Sequence, residues 1–91
     1  MEEIRHIITL VNELGLHARA AAIFVKKASE FESTITVIKD GVEADGKSIL
    51  SLMMLAAPKG SELELVIKGE DAKDALEALK ELIYSRFGEN K

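Results

Sequence analysis

The apolar residues of this chain change period several times, and that alternation limits the folds open to it. Ile4 to Val11 (IRHIITLV) is β-branched and roughly alternating, the pattern of a strand with one buried face. After a loop over Asn12 to Gly15, Ala18 to Phe31 reads as a helix. Ala21, Phe24, Val25 and Ala28 recur at helical spacing there, with Lys26, Lys27 and Glu30 off the stripe. Ser33 to Lys39, rich in Thr, Ile and Val, returns to a strand. Asp40-Gly41 signals a tight hairpin, because glycine tolerates positive φ, and Val42 to Asp45 is the short returning strand. Ser48 is a good N-cap for the apolar run Ile49 to Leu55, which Pro58 and Gly60 end. Glu62 to Lys68 alternates again, with Leu63, Leu65 and Ile67 on one face. Asp71 caps a last helix whose stripe of Ala72, Ala75, Leu76, Leu79 and Ile83 is the clearest in the chain, and Gly88 closes it.

The resulting order, βαββαβα, predicts an α+β fold in two layers, with helices on one face of an antiparallel sheet. Two β-α-β passages recur, so a split, ferredoxin-like arrangement is also compatible. The 91 residues read as one domain, 1–91, without repeats or linkers. Sixteen acids against twelve bases, and no basic run or aromatic platform, argue against nucleic-acid binding. Without cysteine there is no disulfide framework and no thiolate metal site. The start, Met1-Glu2-Glu3-Ile4-Arg5, lacks an apolar signal core, and no apolar run nears the roughly 20 residues of a membrane span. The expected location is cytoplasmic.

Chemistry concentrates in Gly15-Leu16-His17-Ala18-Arg19, where a strand gives way to a helix. A helix N-terminus presents unpaired N–H groups and the positive end of its dipole, a poor home for imidazolium and a good one for an anion. A neutral imidazole is a nucleophile near pH 7, its unperturbed pKa being about 6.5, and attack on a phosphoryl donor gives a phosphohistidine. The N–H groups of Ala18 and Arg19 and the Arg19 guanidinium are the candidate donors to the phosphoryl oxygens. Small alanines at 18, 20, 21 and 22 leave the helix start uncrowded for an approaching partner. His6, inside a strand between Ile4 and Ile8, reads as structural, and two histidines on separate elements make no metal-site case.

A second motif is Gly46-Lys47-Ser48-Ile49-Leu50. The helix it opens is apolar nearly all round, so some of Ile49, Leu50, Met53 and Met54 should reach the surface. An exposed patch containing Met is a common docking surface. Phosphorylation of Ser48 would place about −1.5 to −2 charge at the start of that helix. The charged face of the last helix (Lys73, Asp74, Glu77, Lys80, Glu81) reads as solvated.

These two motifs together, at this separation, resemble the HPr family, the histidine-containing phosphocarriers of the bacterial phosphoenolpyruvate-dependent sugar phosphotransferase system. The likeness spans nearly the whole chain, through Asp71-Ala72-Lys73-Asp74-Ala75-Leu76. The resemblance implies strand order 1-4-2-3 with three helices on one face. It implies that His17 accepts a phosphoryl group on Nδ1 from phosphorylated Enzyme I and passes it to EIIA of a sugar transporter, assisted by Arg19. It makes Ser48 the regulatory serine used by HPr kinase/phosphorylase in some bacteria. Ala22, Ile49, Leu50 and Met53 become the docking surface of a monomer needing no cofactor and no metal. One residue departs from the family pattern: proline usually follows the arginine, and here it is Ala20, which gives up a fixed φ but is the best helix former.

Two other readings accompany the sugar-branch carrier. One is a close variant, a nitrogen-branch carrier or a homologue signalling through Ser48. The other, of a different class, is a ferredoxin-like module binding a small regulatory molecule, in which His17 is incidental; no ligand-holding Gly-rich or acidic loop supports it. A stand-alone enzyme is disfavoured, because the sequence offers one nucleophile but no evident general-base partner and no phosphate loop.

Overall fold

A computed structural model describes residues 2–90; Met1 and Lys91, the ends of the expected 1–91 domain, lie outside the described residues. The elements run β1 (Glu3–Thr9), α1 (Ala18–Ala28), β2 (Thr34–Lys39), β3 (Val42–Asp45), α2 (Ile49–Met53), β4 (Glu62–Lys68) and α3 (Ala72–Tyr84), followed by a terminal turn, Arg86–Gly88. The four strands form one antiparallel sheet of order β1-β4-β2-β3. Each β-α-β passage is therefore split: β4 lies between β1 and β2, and β2 lies between β3 and β4. The two-layer sandwich of order 1-4-2-3 is the expectation that describes this sheet, and its β-α-β passages are split as the alternative reading also required.

Register explains which face is buried. Ile4 and Ile35 flank Ile67, His6 and Val37 flank Leu65, and Ile8 pairs with Leu63. Side chains alternate across a strand, so these rows share the face that meets the helices. Against them pack Ala20, Ala21, Phe24 and Ala28 of α1, Leu52 of α2, and Ala72, Ala75, Leu79 and Ile83 of α3. His6 sits half-buried on the core side, opposite Leu65.

Strand direction then decides where things meet. β1 and β4 are antiparallel, with Thr9 opposite Glu62, so the loop leaving β1 and the loop entering β4 lie at one end of the sheet. α3 follows β4 and runs back toward that same end. The start of α1, the end of α2 and the end of α3 converge there.

Several expected boundaries shift. β1 stops at Thr9 rather than Val11, although Leu10 still donates to Ser61 O and accepts from the Gly60 N–H, each at 2.9 Å. α1 ends at Ala28 rather than Phe31, its last residues tightening into i→i+3 bonds from Glu30 to Lys27 and from Phe31 to Ala28. Ser33, expected in β2, is a buried loop residue. α2 ends at Met53, short of Leu55, because Ala56 turns left-handed at φ 49° and stops it before Pro58. Asp71 stands at the N-cap of α3 but does not cap it. Its carboxylate accepts instead from the Ser33 hydroxyl, the Ser33 N–H at 3.0 Å and the Glu32 N–H at 2.9 Å, tying the loop before β2 to the base of α3. Those bonds, the Ser33 hydroxyl's first, hold the Asp71 carboxyl below its usual value. Gly88 does not close α3, which ends at Tyr84 with Ser85 as its C-cap; Gly88 belongs to the following turn.

Candidate functional site

His17 is the N-cap of α1, with extended backbone (φ −76°, ψ 179°), and its carbonyl accepts the first helical bond from Ala21 N at 2.8 Å. The His17 side chain does not cap this helix start, and no acidic residue lies in its first turn. The N-terminal amides expected to face an anion are thus left without an internal cap. The small residues divide: Ala18 and Ala22 are exposed, whereas Ala20 and Ala21 are buried in the core, so only the first pair leaves room for a partner.

Gly15 sets the approach to His17. It adopts φ +65°, and a Cβ there would lie 2.3 Å from Ala57 O and 2.8 Å from Pro58 Cα, both backbone atoms. Leu16 N donates to the same Ala57 oxygen at 2.9 Å. The loop before His17 is therefore pressed against the loop after α2. Leu14, Leu16, His17, Met53 and Pro58, with Ala56 and Ala57, line a depression of about 270 Å³ beside the ring.

The ring has a partner that sequence reasoning missed. Nε2 of His17 lies 2.5 Å from Oε2 of Glu89, and the Arg19 guanidinium donates to the same oxygen at 2.9 Å. The other oxygen, Oε1, accepts from Asn12 Nδ2 at 2.9 Å, and Asn12 also donates to Gly15 O at 2.8 Å. The Glu89 side chain is 7% exposed, that of His17 27% and that of Arg19 64%. The Arg19 guanidinium hydrogen-bonded to it holds the Glu89 carboxyl down from 4.5 to about 2; burial opposes this, and donation from Asn12 and His17 adds to it. The sequence-based view of the helix start as a poor home for imidazolium is incomplete, because a carboxylate lies against the ring. The ring also has the neighbouring carboxylate that the sequence left without a candidate.

Asn12, wholly buried under the site, was read only as part of a loop. The clue for Glu89 lay in topology alone, since α3 ends where β1 ends.

The second motif is built differently. Gly46 closes on β2: its N–H donates to Ile35 O at 2.7 Å, and a Cβ would fall 2.5 Å from Ile35 Cγ2. Lys47 points its ammonium at Phe31 O, 2.7 Å away. Ser48 caps α2 as expected, accepting from Ser51 N at 3.3 Å. Ile49, Leu50, Met53 and Met54 are all exposed, Leu50 at 69% and Met54 at 75%. Met53 also lines the depression beside His17, and Ile49 and Leu50 stand one turn before it on α2. Leu14, also exposed, lines the same depression and was not singled out from the sequence.

Among the described residues no group of three or more His, Cys, Asp or Glu side chains could hold a metal, and no helix is long and apolar enough to cross a membrane.

Comparison with known proteins bears on the family and the fold. The sequence model of the family described as PTS HPr component phosphorylation site matches residues 4–85. The phosphocarrier protein HPr of Neisseria meningitidis serogroup A is 46% identical over 86 residues, covering 94% of this chain and 97% of that protein. HPr of Pseudomonas aeruginosa is 51% identical over 83 residues, covering 90% and 92%. The crystal structure of HPr-C-His from Thermoanaerobacter tengcongensis superposes with a TM-score of 0.91 at 43% identity, covering both chains completely.

Proposed function

The chain belongs to the HPr family of phosphocarriers of the phosphotransferase system, and from that premise we propose that His17 takes a phosphoryl group from phosphorylated Enzyme I and hands it to an EIIA component of a sugar transporter. The observation that carries this reading is a partly exposed imidazole at an uncapped helix start with a guanidinium fixed beside it. The amides of Ala18 and Arg19 and the remaining Arg19 donors supply charge-assisted bonds to an arriving PO₃ group. The site is shallow, which suits a relay: donor and acceptor proteins bring the other half of the chemistry. Ala22, Ile49, Leu50 and Met53 form the surface on which those partners dock. On this reading the carrier works in the cytosol, as a monomer, without a metal or cofactor.

Ser48 is the proposed regulatory site for an HPr kinase/phosphorylase. A phosphoryl group on its hydroxyl would keep an acceptor at the N-terminus of α2 while adding negative charge next to Ile49 and Leu50. A Ser48→Asp variant should bind Enzyme I more weakly than wild type.

The test is incubation with Enzyme I and phosphoenolpyruvate, followed by measurement of acid-labile phosphate on the protein. His17→Ala should take up none, and Arg19→Ala should take it up slowly with the fold intact. Label that persists in His17→Ala would refute the assignment.

A further inference from the structure

We propose that Glu89 is a positioning residue for phosphoryl uptake: it holds the His17 ring with the Nε2 proton donated and the Nδ1 lone pair free, and balances the charge the ring acquires. This inference rests on the carrier reading above.

An ionised carboxylate only accepts hydrogen bonds, so the hydrogen between Nε2 and Oε2, 2.5 Å apart, belongs to the nitrogen. A neutral imidazole carries one N–H. With Nε2 protonated, the lone pair is on Nδ1, and the ring makes no side-chain capping bond that would occupy it. The contact thus selects which nitrogen attacks. It also restrains the ring, since the carboxylate is itself held independently of it, by Arg19 on one oxygen and by buried Asn12 on the other.

The step balances without another reactant. The Nδ1 lone pair attacks the phosphorus of an N-phosphorylated donor. The donor's P–N bond breaks, and its electron pair stays on the donor. His17 becomes an N-phosphoryl imidazolium, and its positive charge lies against the Glu89 carboxylate through the Nε2–H bond. Release to the acceptor runs the same step backwards. A partner that orients a histidine and balances its charge acts through the ring. The carboxylate and the phosphoryl group occupy different ring nitrogens, and Arg19 spends one donor on Oε2 while a guanidinium has five.

The backbone that delivers Glu89 is an independent sign. Arg86 (φ 59°), Phe87 (φ 54°) and Gly88 (φ 80°) are consecutive left-handed residues, two of them bearing side chains. Such conformations persist only where the surroundings enforce them, and they cluster at functional sites. Here Phe87 is buried in the core, and Gly88 and Glu89 donate back to Ser85 O and Arg86 O at 3.1 and 2.8 Å. The turn reverses the chain at the end of α3 and sends the next side chain onto the ring.

The experiment uses the full chain with ¹⁵N-labelled histidine. In wild type, His17 should show a protonated Nε2 with a deshielded proton and an unprotonated Nδ1. Glu89→Gln should lose the deshielded proton and accept phosphoryl from phosphorylated Enzyme I about tenfold more slowly, with its amide spectrum otherwise unchanged. Glu89→Asp, which keeps the charge, should recover part of that rate. A wild-type ring protonated on Nδ1, equal rates for the Gln and Asp variants, or a Gln variant as fast as wild type would each overturn the proposal. If wild type itself took up no phosphoryl group, the carrier reading would fail, while the ring spectrum would still report on the Glu89 contact.

Discussion

Replacing Gly15 with alanine isolates how the structure supports His17. Two costs add. The residue is left-handed (φ +65°), which strains any L side chain by about 1–2 kcal/mol. The new Cβ would also enter space held by Ala57 O at 2.3 Å and Pro58 Cα at 2.8 Å. Backbone cannot rotate aside as a flexible side chain can, and overpacking of this kind adds roughly 1–3 kcal/mol. The sum is about 2–5 kcal/mol, and in a domain of this size each kilocalorie lowers Tm by about 4–8 °C. Gly41→Ala is the matched control. It has φ +81°, but nothing lies within 4 Å of the added Cβ, so only the strain applies. Urea denaturation at a common slope should show Gly15→Ala less stable than Gly41→Ala by the steric share, about 1–3 kcal/mol. Equal stabilities would refute the claim that the loop before His17 is clamped to the loop after α2. Because His17 is two residues away, Gly15→Ala should also slow phosphoryl uptake under conditions where both variants are folded, and Gly41→Ala should not.

Acid stability should report the Glu89 contact. Its carboxyl is lowered from 4.5 to about 2, so the stability it contributes is full above about pH 4.5 and is lost as pH falls toward 2. Denaturation curves of wild type and Glu89→Gln should differ at neutral pH and converge near pH 2. Phe87→Ala removes a buried anchor and should cost about 3–5 kcal/mol by the same assay. Leu50→Glu alters a side chain that is mostly in solvent. Its stability should stay within about 0.5 kcal/mol of wild type while uptake from phosphorylated Enzyme I slows, and unchanged uptake would remove Leu50 from the docking surface.

The elements were legible because each has a local cause. The period-two rows of Leu63, Leu65 and Ile67, and the stripe of Ala72, Ala75, Leu79 and Ile83, read as buried faces in the sequence, and they are buried. Ends were less legible because their causes are not local. Asp71 has the composition of an N-cap, yet the Ser33 hydroxyl and the amides of Glu32 and Ser33 across the fold compete for its carboxylate and win. Ala56 stops α2 two residues before Pro58, in a left-handed conformation that nothing about an alanine announces.

The site divides along the same line. His17 and Arg19 stand two residues apart at one helix start, and that is visible along the chain. Glu89 is 72 residues from His17, and no spacing rule links the two. What links them is the direction of travel. β1 runs to one end of the sheet, β4 returns from it, and α3 must climb back to it to bury its stripe against both strands. Any residue just beyond α3 therefore arrives beside the start of α1, whatever its type. That a carboxylate stands there, after two strained residues of which one is a buried phenylalanine, is a property of this chain rather than of the topology, and it is why the tail belongs with the chemistry of the histidine.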